Sequence, residues 1–549
     1  MKLKHLLCLS VFSVVTNTFA EPTIINNVNG YHVVGDKLQT FSSLAFENGK
    51  VLATGNAELA AAYKNAVIID GNGKTLLPGL IDAHGHILGL GESLMKVDLR
   101  GADTELQAAQ RAREYANLNP QIDWISGRGW NQVLWPEKRF PTKHSLDKLL
   151  PDKPVVLERV DGHALWVNSK ALAVAGITTT TPNPVGGEIV RDEAGYPTGV
   201  LIDTAMDLVF NAAPAVPHAV REEQLAAARQ ELLSVGITSA HDAGIDFASY
   251  EFYRQKADAQ QLGLRIYAMI SSFDPKLDDM LAAGYLQSDD DTLWIRSVKG
   301  FGDGALGSRG AALLADYSDD PGNRGILVTP EDALPALFDK VLGANFQLNF
   351  HAIGDRSNRL ILDNFARAYQ HTNGLTLRNR IEHAQVVALD DIPRFKPLNL
   401  IASMQPVHAT SDMNMAEDRL GKERLKGAYA WQTFAQQGTV IAAGSDFPVE
   451  LANPFHGLHA AVTRQSHVNL PEGGWLAAEK LSREQAFKAF TLDAAYAAHQ
   501  EEILGNLQPG KYADFILIDR DIFTVPAAQI WQTQVLQTWL AGKPAFTQN

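Results

Sequence analysis

The sequence predicts an α/β protein built on a (β/α)8 TIM barrel, and two observations carry this prediction. Eight short, apolar, β-branched segments occur along the chain, with helical patterns between them. From Gly236 onward they recur roughly every 20 to 50 residues, which is the rhythm of strand–helix units, and eight such units close into a barrel. Polar residues cluster at the carboxyl ends of the segments, which form the catalytic face of such a barrel.

The first predicted strand carries the most informative short motif. Its apolar run leads without a break into Asp82-Ala83-His84-Gly85-His86, as expected of a strand buried on both faces. The strand period of two puts both histidines on one side, which suggests a metal site; a pair of hydrogen-bonded core histidines is the alternative. The barrel is predicted over residues 76–499, and its eight strands begin at Leu76, Val235, Leu262, Leu293, Asn345, Arg378, Leu398 and Gly438.

The interval after the first strand breaks the rhythm, because about 150 residues separate His86 from Gly236. A structureless loop of that length is uncommon, so an inserted subdomain is predicted at about residues 92–230, placed to wall or roof the pocket. At both ends of the chain, residues 21–75 and 500–549, β-prone pieces alternate with turns. Neither end can bury a sheet alone, so we expect both termini to form one small β-sandwich.

The first 20 residues have the pattern of a secretory signal peptide. Lys2 and Lys4 precede an apolar stretch that ends on the small-x-small sequence Thr18-Phe19-Ala20, and the stretch is too short for a membrane anchor. A periplasmic or secreted location is therefore expected. The sole cysteine, Cys8, lies in this leader, so the mature chain would have no disulfides, cysteine nucleophile or cysteine-ligated zinc.

The charge balance excludes one class of partner. The whole chain has a formal net charge of −14, and loss of the two leader lysines leaves −16. This acidity argues against a nucleic-acid partner. The sequence leaves the oligomeric state open, a homodimer included.

Six metal-ligand candidates fall at the ends of five predicted strands. Imidazole nitrogen and carboxylate oxygen suit zinc and similar divalent ions. Any one of these residues could belong to the core or a loop, but the whole set at one end of the barrel is hard to obtain by chance. Glu382 is not included, since strand alternation should turn it away from its neighbour. The candidates are His84, His86, Lys299, His351, His383 and Asp446.

Several motifs together resemble the metal-dependent amidohydrolase superfamily. They include PGLIDAHGH, VKGFGDGALGSRGA, FHAIGDRSN, RIEHAQ and AAGSDFPVE. GRGWNQVLW and ERVDGHALWVNSKAL are similar to its YtcJ-like branch, amidohydrolase 3, which includes N-substituted formamide deformylases. The resemblance implies that His84, His86 and Asp446 hold one Zn²⁺ and that His351 and His383 hold a second. It also implies that Lys299 is carboxylated and bridges the two; another divalent metal would fit the same donors.

The resemblance implies hydrolysis of a non-peptide C–N bond in a small-molecule amide, formamide or cyclic amide. A hydroxide bridging the two metals would attack, and Asp446 would act as acid and base. One alternative is a mononuclear deaminase that needs only His84, His86, His351 and Asp446, with Lys299 reaching solvent or pairing with Asp303. Another is a metal-bearing binding or regulatory protein without turnover.

Three residues of the insertion complete the predicted site. His163, in VDGHALW, is predicted to contact the substrate carbonyl or leaving group, with a turn-capping structural histidine as the alternative. Arg128 and Trp130, in GRGWNQVLW, are predicted to line the substrate pocket, although tryptophans at this spacing also suit a subdomain core. Asp355 and Arg356 are expected to position the end of the fifth strand.

Overall fold

The computed structural model describes residues 21–214 and 218–548. The predicted signal peptide, residues 1–20, lies outside the described residues. The described part of the chain opens with short strands that divide between two sheets, one of four strands and one of six. These elements are β1 (Thr23–Asn26), β2 (Asn29–Val34), β3 (Lys37–Phe41), β4 (Ser43–Glu47), β5 (Lys50–Gly55), α1 (Leu59–Ala62), β6 (Val67–Asp70) and β7 (Thr75–Pro78).

The next strand opens the barrel, and a separate six-stranded sheet follows before the barrel resumes. This sheet has the order β13-β14-β12-β11-β10-β9 and its own hydrophobic core. Its strands and helices are those of the stretch predicted as an insertion. The elements are β8 (Leu80–Gly85), α2 (Ile87–Leu94), β9 (Val97–Asp98), α3 (Glu105–Leu118), β10 (Ile125–Trp130), α4 (Lys143–Leu149), β11 (Val155–Arg159), β12 (Ala164–Val167), α5 (Ser169–Val174), β13 (Gly187–Arg191), β14 (Pro197–Asp203) and α6 (Asp207–Phe210).

The barrel resumes with alternating helices and parallel strands, which confirms the predicted barrel. All eight of its strands overlap the predicted segments, and β17 is a short antiparallel addition to β18. The elements are α7 (His218–Ser234), β15 (Ile237–Ile245), α8 (Phe247–Asp258), β16 (Arg265–Ser271), α9 (Leu277–Ala283), β17 (Leu286–Gln287), β18 (Leu293–Phe301), α10 (Leu334–Gly343), β19 (Gln347–Ala352), α11 (Asp355–Ala368), β20 (Arg380–His383), β21 (Ile401–Met404), α12 (Pro406–Asp412), α13 (Ala416–Arg424), α14 (Trp431–Gln436), β22 (Ile441–Ala443), α15 (Pro454–Thr463), α16 (Arg483–Ala489) and α17 (Leu492–Ala497).

The barrel is nearly closed at the seam between its first and last strands. The sheet runs β22-β21-β20-β19-β18-β16-β15-β8, and one parallel bridge joins Gly85 to Phe447 across the gap. Next to it, the backbone N–H of His86 donates to the carbonyl of Phe447 at 2.7 Å. A Cβ on Gly85 would lie 2.4 Å from the Phe447 ring. The ring of Phe447 therefore requires glycine at this position.

The six-stranded terminal sheet combines strands from both ends of the chain, in the order β25-β24-β23-β7-β2-β3. Aromatic rings of both ends share its core, and Phe515 stacks on Trp539 with ring centroids 5.1 Å apart. No helix in the described part of the chain is long and apolar enough to cross a membrane. The last strands are β23 (Phe515–Ile518), β24 (Val535–Leu540) and β25 (Lys543–Thr547).

Candidate functional site

The carboxyl edge of the barrel brings three ligand-type side chains into one tight group. His84 lies in β8, His383 ends β20, and Asp446 follows β22. One ligand atom from each lies within 4.8 Å of the other two, and all three residues are buried. The set combines two imidazoles and one carboxylate, which is a suitable donor set for a divalent metal.

Two further predicted ligands lie beside this group. His86 is more open, with 37% of its side chain exposed, and its Nε2 lies 3.2 Å from Oδ1 of Asp446. Lys299 is 1% exposed, and its Nζ lies 3.2 Å from Nε2 of His84. The lysine therefore neither reaches solvent nor pairs with Asp303. That carboxylate instead accepts backbone N–H groups of Ala312, Ile353 and Gly354.

Two of the buried imidazoles among the predicted ligands, those of His84 and His383, are each held by an acceptor on the far side of the ring. Nδ1 of His84 lies 2.6 Å from Oε2 of Glu382, and Nδ1 of His383 lies 2.8 Å from Oε1 of Gln405. These partners fix the orientation of both rings and leave the second nitrogen of each for another bond. Nε2 of the fifth-strand histidine, His351, lies 3.5 Å from Oδ1 of Asp303 but makes no hydrogen bond with the described residues.

Glu382 is the main site residue that the sequence interpretation missed. Strand alternation turns it away from its neighbour His383, as expected, but it points into the barrel and reaches His84 instead. The backbone of His383 has left the strand conformation, with φ of 74°, so that both residues approach His84. A carboxylate within a buried strand is costly without a partner, and this cost was the available sequence signal. Gln405 gave no such signal.

Burial and nearby charge set the protonation of the group. Burial lowers the pKa of His84, His351 and His383, so that these rings are neutral and keep a lone pair. Burial also lowers the pKa of Lys299, against the opposite effect of Glu382 and Asp446. Burial acts to raise the pKa of Asp446, but a hydrogen bond from His86 and nearby imidazoles hold it well below its usual range.

The group passes a test of fit to a metal ion. Nε2 of His351, another predicted ligand, is buried and has no hydrogen-bond partner among the described residues, a costly situation that a cation would relieve. Neutral imidazoles and an ionised carboxylate are the donor forms that divalent metals need. The residues present therefore fit the metal centre predicted from the sequence.

Two cavities meet at this group. The larger has a volume of about 1140 Å³ and is lined by all six predicted ligands together with residues of the insertion. The smaller, of about 410 Å³, lies on the other side. Four site residues line both cavities and so lie at their junction, namely His163, His351, His383 and Asp446.

The insertion contributes a histidine and an arginine to the cavity wall. The ring centroid of His163 lies 5.3 Å from that of His351, and its Nδ1 lies 2.6 Å from Oδ1 of Asp203. Burial acts to lower the pKa of His163, but the bond to Asp203 and the charges of nearby carboxylates raise it to about 9. Arg128 lines the larger cavity, where its guanidinium pairs with Glu158.

Trp130 does not line either cavity, which corrects the predicted substrate-binding role. Its ring is fully buried in the core of the insertion, and its Nε1 donates to the carbonyl of Leu157 at 2.8 Å. Trp135 and Trp166 pack around it. The physical reason is that three large rings supply the apolar area that this small subdomain needs.

The two residues expected to position the fifth strand behave differently. Asp355 begins the helix after that strand and accepts the backbone N–H of Leu314 at 2.8 Å. It therefore attaches the loop after β18 to the strand end. Arg356 lies at the surface and pairs with Glu331.

Comparison with known proteins shows the family. A family model described as "Amidohydrolase family" matches residues 67–546. The Bacillus subtilis (strain 168) protein named "Putative amidohydrolase YtcJ" is 32% identical over 516 residues, which cover 92% of this chain and 95% of that protein. N-substituted formamide deformylase of Arthrobacter pascens is 27% identical over 516 residues, covering 90% and 92%.

A solved structure agrees in fold over nearly the whole chain. An uncharacterized metal-dependent hydrolase from Pyrococcus horikoshii OT3 matches with a TM-score of 0.75 and 27% identity, covering 92% of this chain and 99% of that one. Fold and site thus define a metal-dependent hydrolase. More narrowly, the chain belongs to the amidohydrolase family, and the resemblance recognised in the sequence is confirmed.

Proposed function

We propose that this protein is an exported enzyme that hydrolyses a non-peptide C–N bond in a small-molecule amide, formamide or cyclic amide. The observation that carries the proposal is the buried group of His84, His383 and Asp446, which opens on a cavity of about 1140 Å³. A cavity of this size accepts a small organic molecule. The similarity to a protein named N-substituted formamide deformylase supports this bond type.

The proposed metal content is two Zn²⁺. His84, His86 and Asp446 would hold one, His351 and His383 the other, and a carboxylated Lys299 would bridge them. A bound metal would supply a Lewis acid for the substrate carbonyl and would make water a better nucleophile at neutral pH. The lowered pKa of Lys299 supports carboxylation, because only the neutral amine reacts with carbon dioxide.

The protein's own groups then handle orientation and proton transfer. Asp446 accepts the proton of the attacking water at a carboxylate oxygen and delivers it to the leaving nitrogen, because an unprotonated amine anion leaves poorly. Glu382 and Gln405 hold the imidazoles that face the reacting centre. His163 contacts the substrate carbonyl or leaving group from the wall, and Arg128 lines the substrate cavity.

Hydrolysis and metal content test this proposal together. The mature chain, reconstituted with zinc, is assayed on N-substituted formamides, acylated amines and cyclic amides, with released amine as the readout. We expect turnover that disappears with a chelator and returns with zinc, at about two zinc per chain. No hydrolysis of any of these substrates would contradict the proposal.

The metal content measured in this experiment separates the deaminase alternative. A mononuclear deaminase would hold one zinc per chain instead of about two. The buried position of Lys299, 3.2 Å from His84, favours the two-metal centre.

Export is tested by the mature N-terminus. We expect the chain recovered from the periplasm or the medium to begin at Glu21. A chain with an intact N-terminus in the cytoplasmic fraction would contradict export.

A further inference from the structure

His163 and Asp203 form a hydrogen-bonded pair at the ends of two neighbouring strands of the inserted sheet. His163 directly precedes β12 and Asp203 ends β14, and these strands pair in antiparallel fashion. The backbone N–H of Asp203 donates to the carbonyl of His163 at 3.1 Å, and the side chains meet at 2.6 Å through Nδ1 and Oδ1. The pair is therefore joined by both backbone and side chain.

The two partners differ in exposure. The side chain of His163 is 23% exposed, whereas that of Asp203 is 2% exposed. The imidazole faces the junction of the two cavities, and the carboxylate lies behind it. This arrangement is the one expected when a buried carboxylate orients a histidine toward a ligand.

Glycines of the barrel form a cradle around this carboxylate. The motif GFGDGALGSRG begins at the end of β18 and continues into the following loop. It lacks the Gly-Lys-Ser/Thr ending of a phosphate-binding loop. A Cβ on Gly304 would lie 2.4 Å from Oδ2 of Asp203, and one on Gly310 would lie 2.8 Å from it. Only residues without a side chain allow the carboxylate this position, which gives the glycine-rich motif a steric role.

The backbone also marks this position as constrained. Asp203 has φ of 49° and ψ of −126°, in a region that L-residues rarely adopt. Its Oδ2 is buried without a hydrogen-bond partner among the described residues. Strained backbone and unpaired polar atoms persist where the surroundings hold them, and they concentrate at functional sites.

We propose that Asp203, held in the cradle of Gly304 and Gly310, is the positioning residue that aims Nε2 of His163 at a ligand at the cavity junction. An imidazole on a turn can rotate, and a carboxylate on Nδ1 fixes both its orientation and the nitrogen left for the ligand. Gly304 and Gly310 belong to the barrel, whereas Asp203 belongs to the insertion. Their contact therefore also positions the insertion relative to the metal-ligand group. The catalytic part of this role rests on the proposed function.

The hydrogen bond is tested by proton NMR on the metal-free protein. The strong Nδ1–H···carboxylate bond should give a downfield proton resonance, identified by its loss in His163→Gln. We expect Asp203→Asn to move this resonance upfield, and Gly304→Ala to do the same by displacing the carboxylate. Gly343→Ala is the matched control, because a Cβ there meets nothing within 4 Å.

The catalytic consequence is tested by kinetics on the zinc-loaded enzyme. We expect Asp203→Asn and Gly304→Ala to lower kcat about 10- to 100-fold with KM changed less than about threefold, and Gly343→Ala to match the wild type. An unchanged resonance in Asp203→Asn, or a lost resonance with unchanged kcat, would overturn the proposal. If Gly304→Ala does not fold, Asp203→Asn alone decides. Absence of wild-type hydrolysis would count only against the proposed function, because the resonance needs no turnover.

Discussion

The carboxyl edge of the barrel and the inserted subdomain hold their histidines by the same device in different surroundings. His84 in the barrel and His163 in the insertion each place Nδ1 2.6 Å from a carboxylate oxygen. The barrel pair is fully buried, whereas the His163 ring faces the cavity. The buried barrel pair thus suits the proposed metal centre, and the cavity-facing ring of the insertion suits the proposed contact with a substrate.

Loss of Asp446 as acid and base should show the largest effect. Asp446→Asn keeps an oxygen ligand of the same size, so we expect retained zinc and a kcat lower by about 10³-fold. Metal analysis and steady-state kinetics on one preparation check this. Full turnover in this variant would remove the proposed acid–base role.

Replacement of the buried lysine should break the metal centre without breaking the fold. We expect Lys299→Met to reduce zinc from about two to about one per chain and to lower kcat about 100-fold, on the scale of lost metal or acid–base assistance. Thermal stability should not fall, since burial of an amine is costly and methionine packs in similar space. Retention of two zinc ions would contradict a bridging role.

A smaller effect is expected from the carboxylate behind His84. Glu382→Gln should weaken zinc affinity about 10- to 100-fold, as measured by chelator competition, because the imidazole loses its charged partner. Glu158→Gln is the matched control from the insertion, where the carboxylate pairs with Arg128. We expect it to leave zinc affinity unchanged and to alter KM. An equal loss of zinc affinity in both variants would contradict the assignment of metal binding to the barrel and of substrate contact to the insertion.

The sequence predicted the barrel and the placement of its ligands because both are local in origin. Strand period and apolar runs predict where His84, Lys299 and His383 emerge, and parallel strands bring their ends together. The partners on the far side of the rings are different. Gln405 and Asp203 meet their histidines only through tertiary packing, which no local pattern encodes.

The insertion also shows that a local sequence pattern does not determine tertiary contacts. GRGWNQVLW predicts aromatic area but not the face it occupies, because a tryptophan suits a cavity lip and a small core equally well. The structure decides by burying the Trp130 ring. The glycines after β18 likewise could not be interpreted from the sequence, since their close neighbours, such as Asp203, are distant along the chain.

Trp130→Phe should have the smallest effect on activity, because Trp130 lies in the core of the insertion rather than at its cavity face. The variant loses the bond from Nε1 to the Leu157 carbonyl and leaves a small void, so unfolding in urea should show a loss of about 2 kcal/mol. We expect KM and kcat to stay within about twofold of wild type, whereas Arg128→Met, at the cavity wall, should raise KM with little loss of stability. A raised KM in Trp130→Phe with unchanged stability would instead place this ring in contact with substrate, and the division between core and wall within the insertion would fail.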